Sequence, residues 1–200
     1  LNYAVSDKVG LMVGVNNGLD SKDDNNDGKG VMAQLFVSPT DGFNVYLNYF
    51  GSNEAEDGAD KDVFSVLDLT TSYQITDKFL LGLNAASGSN ATGKWAGAAL
   101  YANGSLTEKF GLGARLEYFD NKSGAIYLTK GEDAAGNTVG VSVTSATLTG
   151  NVIISENLLF KPEVRFDSYS KATGVTQFVN KEGTGVDSQT TFGGALIFFF

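Results

Sequence analysis

Residues 110–119 read FGLGARLEYF, with apolar residues at every second position and small or charged residues at most of the positions between them. In an extended chain, Phe110 and Leu116 fall on one face, and Arg115 and Glu117 fall on the other. Alternation with a period of two is typical of a β-strand with one apolar and one polar face. Helical spacing is not competitive anywhere in the chain.

The same period recurs along the whole sequence, for example in VGLMVGVNNG (9–18) and FNVYLNYFG (43–51). It predicts eleven β-strands. Their predicted ranges are 1–5, 8–17, 29–37, 43–51, 62–75, 79–88, 94–105, 110–119, 139–154, 159–169 and 188–200.

The predicted connections alternate strictly between short turns and long polar segments. The short turns fall at 6–8, 38–42, 76–78, 107–109 and 155–157. The long connections fall at 18–28, 52–61, 89–93, 120–138 and 170–187. A Greek-key sandwich does not enforce this order, whereas a transmembrane barrel has short periplasmic turns and long extracellular loops. The sequence therefore predicts an all-β protein, an up-and-down antiparallel transmembrane β-barrel with extracellular long loops and a periplasmic C-terminus.

Eleven is an odd number, and bacterial barrels of this kind normally have an even number of strands. The sequence also starts within a predicted strand. We therefore expect residues 1–200 to be a single transmembrane domain, the C-terminal part of a larger barrel whose upstream strands are missing. The alternative is that the number of predicted strands is wrong by one near AIYLT (125–129). This segment would then be an extension of a strand or a hairpin within a loop.

Composition excludes several classes of function. Among the 200 residues there are 25 Gly, no Cys and no His, and the net charge is −9. The acidic balance argues against nucleic-acid binding, which needs Lys and Arg to contact phosphates. The absence of His removes Ser-His-Asp triads and His-rich metal sites. Because no other catalytic motif is present, we expect a protein that is not an enzyme.

The last predicted strand ends in TTFGGALIFFF (190–200). In a soluble protein, such an apolar terminus is an aggregation hazard. In a barrel its alternate residues face lipid, and a terminal Phe resembles the signal by which outer-membrane proteins are handed to the barrel assembly machinery. The residues predicted to form this signal are Phe192, Leu196, Phe198 and Phe200.

Charged residues on the other face of the strands are candidates for the lumen of the barrel. These candidates for solute selectivity are Arg115, Glu117, Lys161, Glu163, Arg165, Asp167 and Asp68. Opposite charges at a constriction create a transverse field that orients solutes. In the alternative, these charges pair across neighbouring strands as structural ladders and give no selectivity. This alternative is slightly favoured because positive and negative residues interleave. Glu117 and Glu163 have no feature that marks a catalytic pair.

The long connections contain most of the 23 acidic residues. This bias predicts a negative vestibule and a mild preference for cations, and the alternative is that the acids only keep the loops soluble. Within the 20–29 loop, Asp23, Asn25 and Asp27 have the D-x-N-x-D-G spacing of calcium loops. A solvated acidic loop, bridged to lipopolysaccharide by divalent ions without an ordered site, is the more favoured interpretation.

Aromatic residues with a polar edge concentrate where a membrane meets water. Four residues are therefore predicted to belong to interfacial aromatic belts: Trp95, Tyr101, Tyr118 and Tyr169.

Several segments resemble the OmpL-like β-barrel porin family of Gram-negative outer membranes. They are VNNGLD (15–20), YFGSNEA (49–55), TSYQITDKFLLGLNA (71–85), WAGAALYANGSLTEKFGLGARLEYFD (95–120) and KPEVRFDS (161–168). The pattern departs from the family at Leu19, where a Trp is expected, and the family's N-terminal half is absent from this sequence. The resemblance implies a general or weakly selective porin.

The predicted function is an outer-membrane porin, a passive diffusion channel for small hydrophilic solutes without cofactors. Its expected partners are outer-membrane lipid, lipopolysaccharide and the assembly machinery, and either a homo-oligomer or a complex with another protein is compatible with the sequence. The alternative is a non-conducting barrel that serves as a scaffold or receptor subunit of an outer-membrane complex. An integral-membrane enzyme and a soluble β-sandwich are more distant alternatives.

Overall fold

The computed structural model describes residues 1–19, 26–126, 130–172 and 176–200. Within these ranges all regular elements are β-strands. Eleven strands form one sheet: β1 (Asn2–Ser6), β2 (Val9–Asn16), β3 (Gly30–Thr40), β4 (Phe43–Asn53), β5 (Val63–Thr76), β6 (Phe79–Asn90), β7 (Gly93–Ser105), β8 (Phe110–Asp120), β11 (Ser142–Ser155), β12 (Leu158–Tyr169) and β15 (Ser188–Phe198). Two small hairpins lie in long connections, β9 (Lys130–Glu132) with β10 (Thr138–Gly140), and β13 (Phe178–Val179) with β14 (Gly185–Val186).

Every strand of the large sheet pairs antiparallel with the next strand of that sheet along the chain. All eleven predicted strands are confirmed, and their bounds differ from the prediction by at most three residues at either end. The main difference lies at the start of the predicted strand 139–154, which begins at Ser142 in the structure. Residues 139 and 140 belong instead to β10, which pairs with Lys130–Glu132 in a loop hairpin. Of the segment 125–129, where an extra strand was considered, residues 127–129 lie outside the described part of the chain.

The sheet has two chemically different faces. The register aligns Leu116 with Leu100 on one side and with Ala146 on the other, so that apolar residues continue from strand to strand. We call the face that contains Leu116 the apolar face. The opposite face contains Arg115, which is aligned with Tyr101 and Thr147, and we call it the polar face.

Irregular pairing is concentrated at the short turns. Register shifts occur next to four of the five turns, between Ala4 and Ser6, Val37 and Thr40, Gln74 and Thr76, and Ile153 and Ser155. A bulge at the end of a strand increases the local twist without changing which face the mid-strand side chains occupy. The two faces therefore keep their identity through the middle of all eleven strands.

The surface of the molecule is unlike that of a compact soluble protein. The accessible area is 12930 Å², whereas a folded monomer of 21.1 kDa is expected to expose roughly 9,000 Å². Large apolar side chains account for much of the excess, with Phe192 exposed to 80% and Leu116 to 61%. A continuous apolar wall of this extent indicates contact with lipid or protein rather than water. In the part of the chain that is described, no helix is long and apolar enough to cross a membrane.

The two edge strands have one partner each among the described residues. β1 pairs only with β2, and β15 pairs only with β12. Because eleven antiparallel strands alternate in direction, β1 and β15 run in the same direction. A direct contact between the two edges would be parallel, unlike every pairing within the sheet.

The long connections pack against one another and contain much of the buried part of the protein. The Glu54 carboxylate accepts hydrogen bonds from the main-chain N–H of Leu19 at 3.0 and 3.2 Å. The side chain of Asn26 donates to the carbonyl of Ala55 at 2.8 Å. Asn90 donates to the carbonyl of Ala125 at 2.6 Å. A further bond, from the main-chain N–H of Ala91 to Asp62 Oδ1 at 2.8 Å, joins these two pairs of connections, so that the first four long connections form one rim at the long-loop end of the sheet.

Gly88→Ala provides a test of packing on the polar face. A Cβ at Gly88 would lie 2.5 Å from the ring carbons of Trp95, which is too close for any atom pair. We expect the indole to be pushed towards water, with a stability loss of about 1 kcal/mol. Because Trp95 is the sole tryptophan, its emission maximum should shift to longer wavelength.

Gly104→Ala is the matched control for this variant. A Cβ at Gly104 would lie 3.7 Å from Phe79, an ordinary contact. Its emission spectrum should equal that of the wild type, and a wild-type spectrum for Gly88→Ala as well would contradict the packing of Trp95 over Gly88.

Candidate pore-lining face

Four adjacent strands place one row of polar side chains side by side at the middle of the polar face. The register aligns Tyr101 of β7 with Arg115 of β8, Arg115 with Thr147 of β11, and Thr147 with Arg165 of β12. Neighbouring strands lie about 4.8 Å apart. Two guanidinium groups therefore flank a threonine hydroxyl, and an aromatic ring lies at one end of the row.

Arg165 is held by a buried carboxylate. Its Nε donates to Asp167 Oδ1 and Oδ2 at 2.8 and 3.0 Å, and its Nη2 donates to Ser145 Oγ at 3.1 Å. The Ser145 hydroxyl in turn donates to Asp167 Oδ1 at 2.6 Å. Ser145 is 1% exposed and Asp167 is 5% exposed. This triangle satisfies the buried acid and fixes the orientation of the guanidinium.

Arg115 is held in a similar way on β8, two strands away from Arg165 across the sheet. Its Nη2 forms an ion pair with Glu117, and its Nε donates to the Tyr101 hydroxyl at 3.3 Å. The guanidinium carbon also lies 5.5 Å from the centre of the Tyr101 ring, a distance at which the ring quadrupole attracts a cation. Four of the predicted lumen residues, Arg115, Glu117, Arg165 and Asp167, are thus structural ion pairs as well as charges on this face.

Two further charges of β12 lie near this row on the same face, Glu163 two residues and Lys161 four residues closer to the short turn than Arg165. Glu163 accepts a hydrogen bond from Thr149 Oγ1 at 2.7 Å. A depression of about 260 Å³ opens here, and Lys161, Glu163, Arg115 and Arg165 line it. The structure therefore brings six of the seven predicted lumen residues together.

Asp68, the seventh predicted residue, belongs to a separate ladder on β3 to β6. Gln34 Nε2 donates to Asn48 Oδ1 at 2.7 Å, and Asn48 Nδ2 donates to Asp68 Oδ1 at 2.8 Å. Asn84 Nδ2 completes the ladder by donating to Asp68 Oδ2 at 2.6 Å. Both carboxylate oxygens of Asp68 accept hydrogen bonds from side-chain amides of the neighbouring strands. Asp68 therefore belongs to a structural ladder, the alternative that the sequence left open for the lumen charges.

The predicted aromatic belt is wrong for three of its four residues. Trp95, Tyr101 and Tyr169 occupy the polar face, and only Tyr118 lies on the apolar face, in alternation with Leu116. Trp95 stacks on Phe119 with a centroid distance of 5.9 Å. Tyr169 packs edge-on against Phe178 in the connection that follows β12, at 5.1 Å. The rings of Trp95 and Tyr169 thus cover the loop end of the polar face, and Tyr101 lies at its middle.

The predicted assembly-signal residues share one face of the last strand. Phe192, Leu196 and Phe198 are aligned with Val164, Phe160 and Leu158 of β12. All three belong to the apolar face, and Phe200 lies beyond the last strand residue. This arrangement agrees with a lipid-facing wall, while recognition by an assembly machinery stays a prediction.

The calcium motif lies mostly outside the described residues, because Asp23 and Asn25 belong to the segment 20–25. Asp27 is described and exposed, and its main-chain N–H donates to Asp57 Oδ1 at 3.2 Å. In the described ranges, no group of three acidic, His or Cys residues is placed to hold a metal ion. Calcium binding therefore stays a prediction.

One loop carboxylate has a perturbed protonation equilibrium. Hydrogen bonds from the side chain and main chain of Asn137, and from the main chain of Ala135, lower the pKa of Asp133 in the turn between β9 and β10. A carboxylate with a lowered pKa stabilises its turn at neutral pH, and this contribution is lost as the pH falls through the folded-state pKa.

Several polar-face residues were not singled out from the sequence. Ser145, Thr147 and Thr149 contact or separate the charged groups, and Asn103 and Asn151 line the depression. The signal for the first three was present, since they alternate with Ala146 and Leu148. Their partners depend on strand register, which alternation alone does not provide.

The fold and this face define a class of protein: an antiparallel, meandering sheet with a lipid-compatible outer face and a charged face suited to water. The whole chain, residues 1–200, matches the family described as "Putative beta-barrel porin-2, OmpL-like". The chain belongs to this family of β-barrel porins, which indicates an outer-membrane location. A comparison with curated proteins gives no match.

Proposed function

We propose that the protein is an outer-membrane porin, a passive channel for small hydrophilic solutes. The observation that carries the proposal is the separation of the sheet into an apolar face and a polar face of interleaved charges. Charged side chains on a lipid-exposed surface cost up to about 2–4 kcal/mol each for Arg or Lys, so the polar face must enclose water. We further propose that an odd number of additional strands between β1 and β15 closes an all-antiparallel barrel.

The proposed orientation has the long connections outside the cell and the short turns and Phe200 in the periplasm. It is supported by the usual asymmetry of bacterial barrels and by the hydrogen-bonded rim of the long connections. Acidic residues of the rim, including Glu54, Asp57 and Asp62, would give the mouth a negative potential. We therefore propose a mild preference for cations at low ionic strength, together with lipopolysaccharide and lipid as the surrounding partners.

Single-channel recording in a planar lipid bilayer tests this function. We expect stable open steps in KCl, and a reversal potential in a salt gradient with the sign of a cation-preferring pore. The preference should decline as salt rises, because screening shortens the reach of the loop charges to about 3 Å at 1 M. An inserted barrel without current would overturn the porin proposal and favour the non-conducting scaffold or receptor, whose partner would dock on the packed rim.

Calcium binding by the 20–29 loop is tested separately by calorimetric titration of the folded protein. The motif of Asp23, Asn25 and Asp27 predicts saturable heat that Asp27→Asn reduces, because a hard cation loses a charged oxygen ligand. Asp57→Asn removes an equal charge next to the motif and serves as the control. Absence of saturable heat in the wild type would contradict an ordered site.

A further inference from the structure

The depression on the polar face is positively charged although the protein as a whole carries a net charge of −9. Its lining includes Arg115, Lys161 and Arg165, and a single acid among the described residues, Glu163. Glu117 and Asp167, the acids that pair with the two arginines, do not line it. The balance of charge inside the depression is therefore opposite to that of the whole chain.

The exposure of the paired groups explains this local imbalance. The side chains of Arg115 and Arg165 are 31% and 35% exposed, whereas those of Glu117 and Asp167 are 19% and 7% exposed. Each acid lies two residues nearer the long-loop end than its arginine. Solvent in the depression thus meets the cationic part of each pair, while the anionic part is covered.

The groups around the depression are donors of the kind that hold an oxyanion. Guanidinium groups present several N–H donors in a fixed plane that matches carboxylate and phosphate geometry, and Lys161 adds an ammonium group. The Thr147 hydroxyl lies between the two arginines in the register and is buried without a hydrogen-bond partner in the described structure. Asn103 and Asn151 add amide groups to the lining.

We propose that Arg115, Lys161 and Arg165 form a subsite for the oxyanion group of a solute, a phosphate or a carboxylate. The inference rests on the proposed porin function, in which the polar face lines the lumen. The acidic mouth and this subsite act differently: the mouth sets the reversal potential through a long-range field, and the subsite retains one chemical group by short-range contacts. Passage of an anionic solute would therefore show saturation at the subsite.

The test is block of single-channel KCl current by inorganic phosphate, with acetate as a parallel probe for carboxylates. We expect saturable block in the wild type. Lys161→Gln should raise the half-blocking concentration about tenfold, the effect of losing one charge-assisted hydrogen bond. Glu163→Gln should lower it, because the opposing charge in the depression is removed while its acceptor for Thr149 is kept. The stronger of the two probes identifies the oxyanion class.

Two further variants separate the local site from the general field. Arg115→Gln/Glu117→Gln leaves the total charge unchanged but removes a guanidinium from the depression, so the half-blocking concentration should rise while the reversal potential stays constant. Lys109→Gln, in a short turn away from the depression, should leave both unchanged. Block that is absent, or that has the same concentration dependence in all variants of a conducting channel, would overturn the subsite and leave the porin proposal standing.

Equilibrium binding tests the subsite independently of the proposed channel function. Calorimetric titration of the folded protein in detergent with phosphate does not require conduction. Saturable heat that Lys161→Gln weakens would support the subsite even if the bilayer experiment showed no current and the porin proposal failed. The same weak heat in wild type and in Lys161→Gln would count against the subsite.

Discussion

Leu148→Arg is expected to lower the free energy of unfolding in a lipid bilayer by about 2–4 kcal/mol, the cost of an arginine on a lipid-facing position near the membrane midplane. Leu148 lies mid-strand in β11, is 49% exposed, and is aligned with Ala114 and Val164 on the apolar face. None of these neighbours offers a charge partner. The measurement is a urea titration of the folded fraction in phospholipid vesicles.

Thr149→Arg is the matched control, since the two residues are adjacent in sequence and lie at the same depth. Thr149 belongs to the polar face and is aligned with Glu163, which would pair with the new guanidinium. We expect a stability change below about 1 kcal/mol, as for an exposed ion pair. Equal losses for the two variants would contradict the assignment of the faces, and with it the lipid-spanning sheet.

This assignment depends on alternation, which is why so much of the fold was predictable. A period of two identifies each strand and separates its faces without any tertiary information. The strand from 110 to 120 illustrates this, because Phe110 and Leu116 do lie opposite Arg115 and Glu117. The order of the strands followed from the lengths of the connections, since a short turn joins nearest neighbours.

The register of the strands and the hydrogen-bond partners of their side chains were harder to predict from the sequence. The charges Arg165 and Asp167 were identified, but their contact with Ser145 depends on pairing two strands that the sequence leaves free to slide. Small shifts at the turns, such as that between Ile153 and Ser155, determine which residues are aligned. Alternation has no information on such bulges, so the structural triangle and the exposed cations of the depression became visible only in the folded sheet.

The error in the aromatic belt has a different cause. Trp95 and Tyr101 were assigned by residue type, because amphipathic rings suit a membrane interface. Their own alternation argued otherwise, since Leu100 occupies the opposite face. On the polar face, Gly88 provides the room that the indole of Trp95 needs. The strand face on which an aromatic residue lies should therefore take precedence over its residue type when it is assigned to an interfacial belt.

The second large effect is expected at Asp167. Removing one member of a buried ion pair leaves an uncompensated charge and typically costs about 3–5 kcal/mol. Because Arg165 is about one-third exposed and can be partly hydrated, we expect Asp167→Ala to lower the free energy of unfolding by about 3 kcal/mol. The readout is urea unfolding in phospholipid vesicles at neutral pH.

Glu163→Ala supplies the control, because this acid is exposed and has one hydrogen bond, from Thr149, so that its loss should cost no more than about 1 kcal/mol. Arg165→Ala and the double variant Arg165→Ala/Asp167→Ala complete a thermodynamic cycle. The double variant should lose less stability than the sum of the single variants, since it leaves no stranded charge. If Asp167→Ala were no more destabilising than Glu163→Ala, the buried triangle would not be holding the guanidinium in place. The orientation of Arg165 towards the depression would then need another cause.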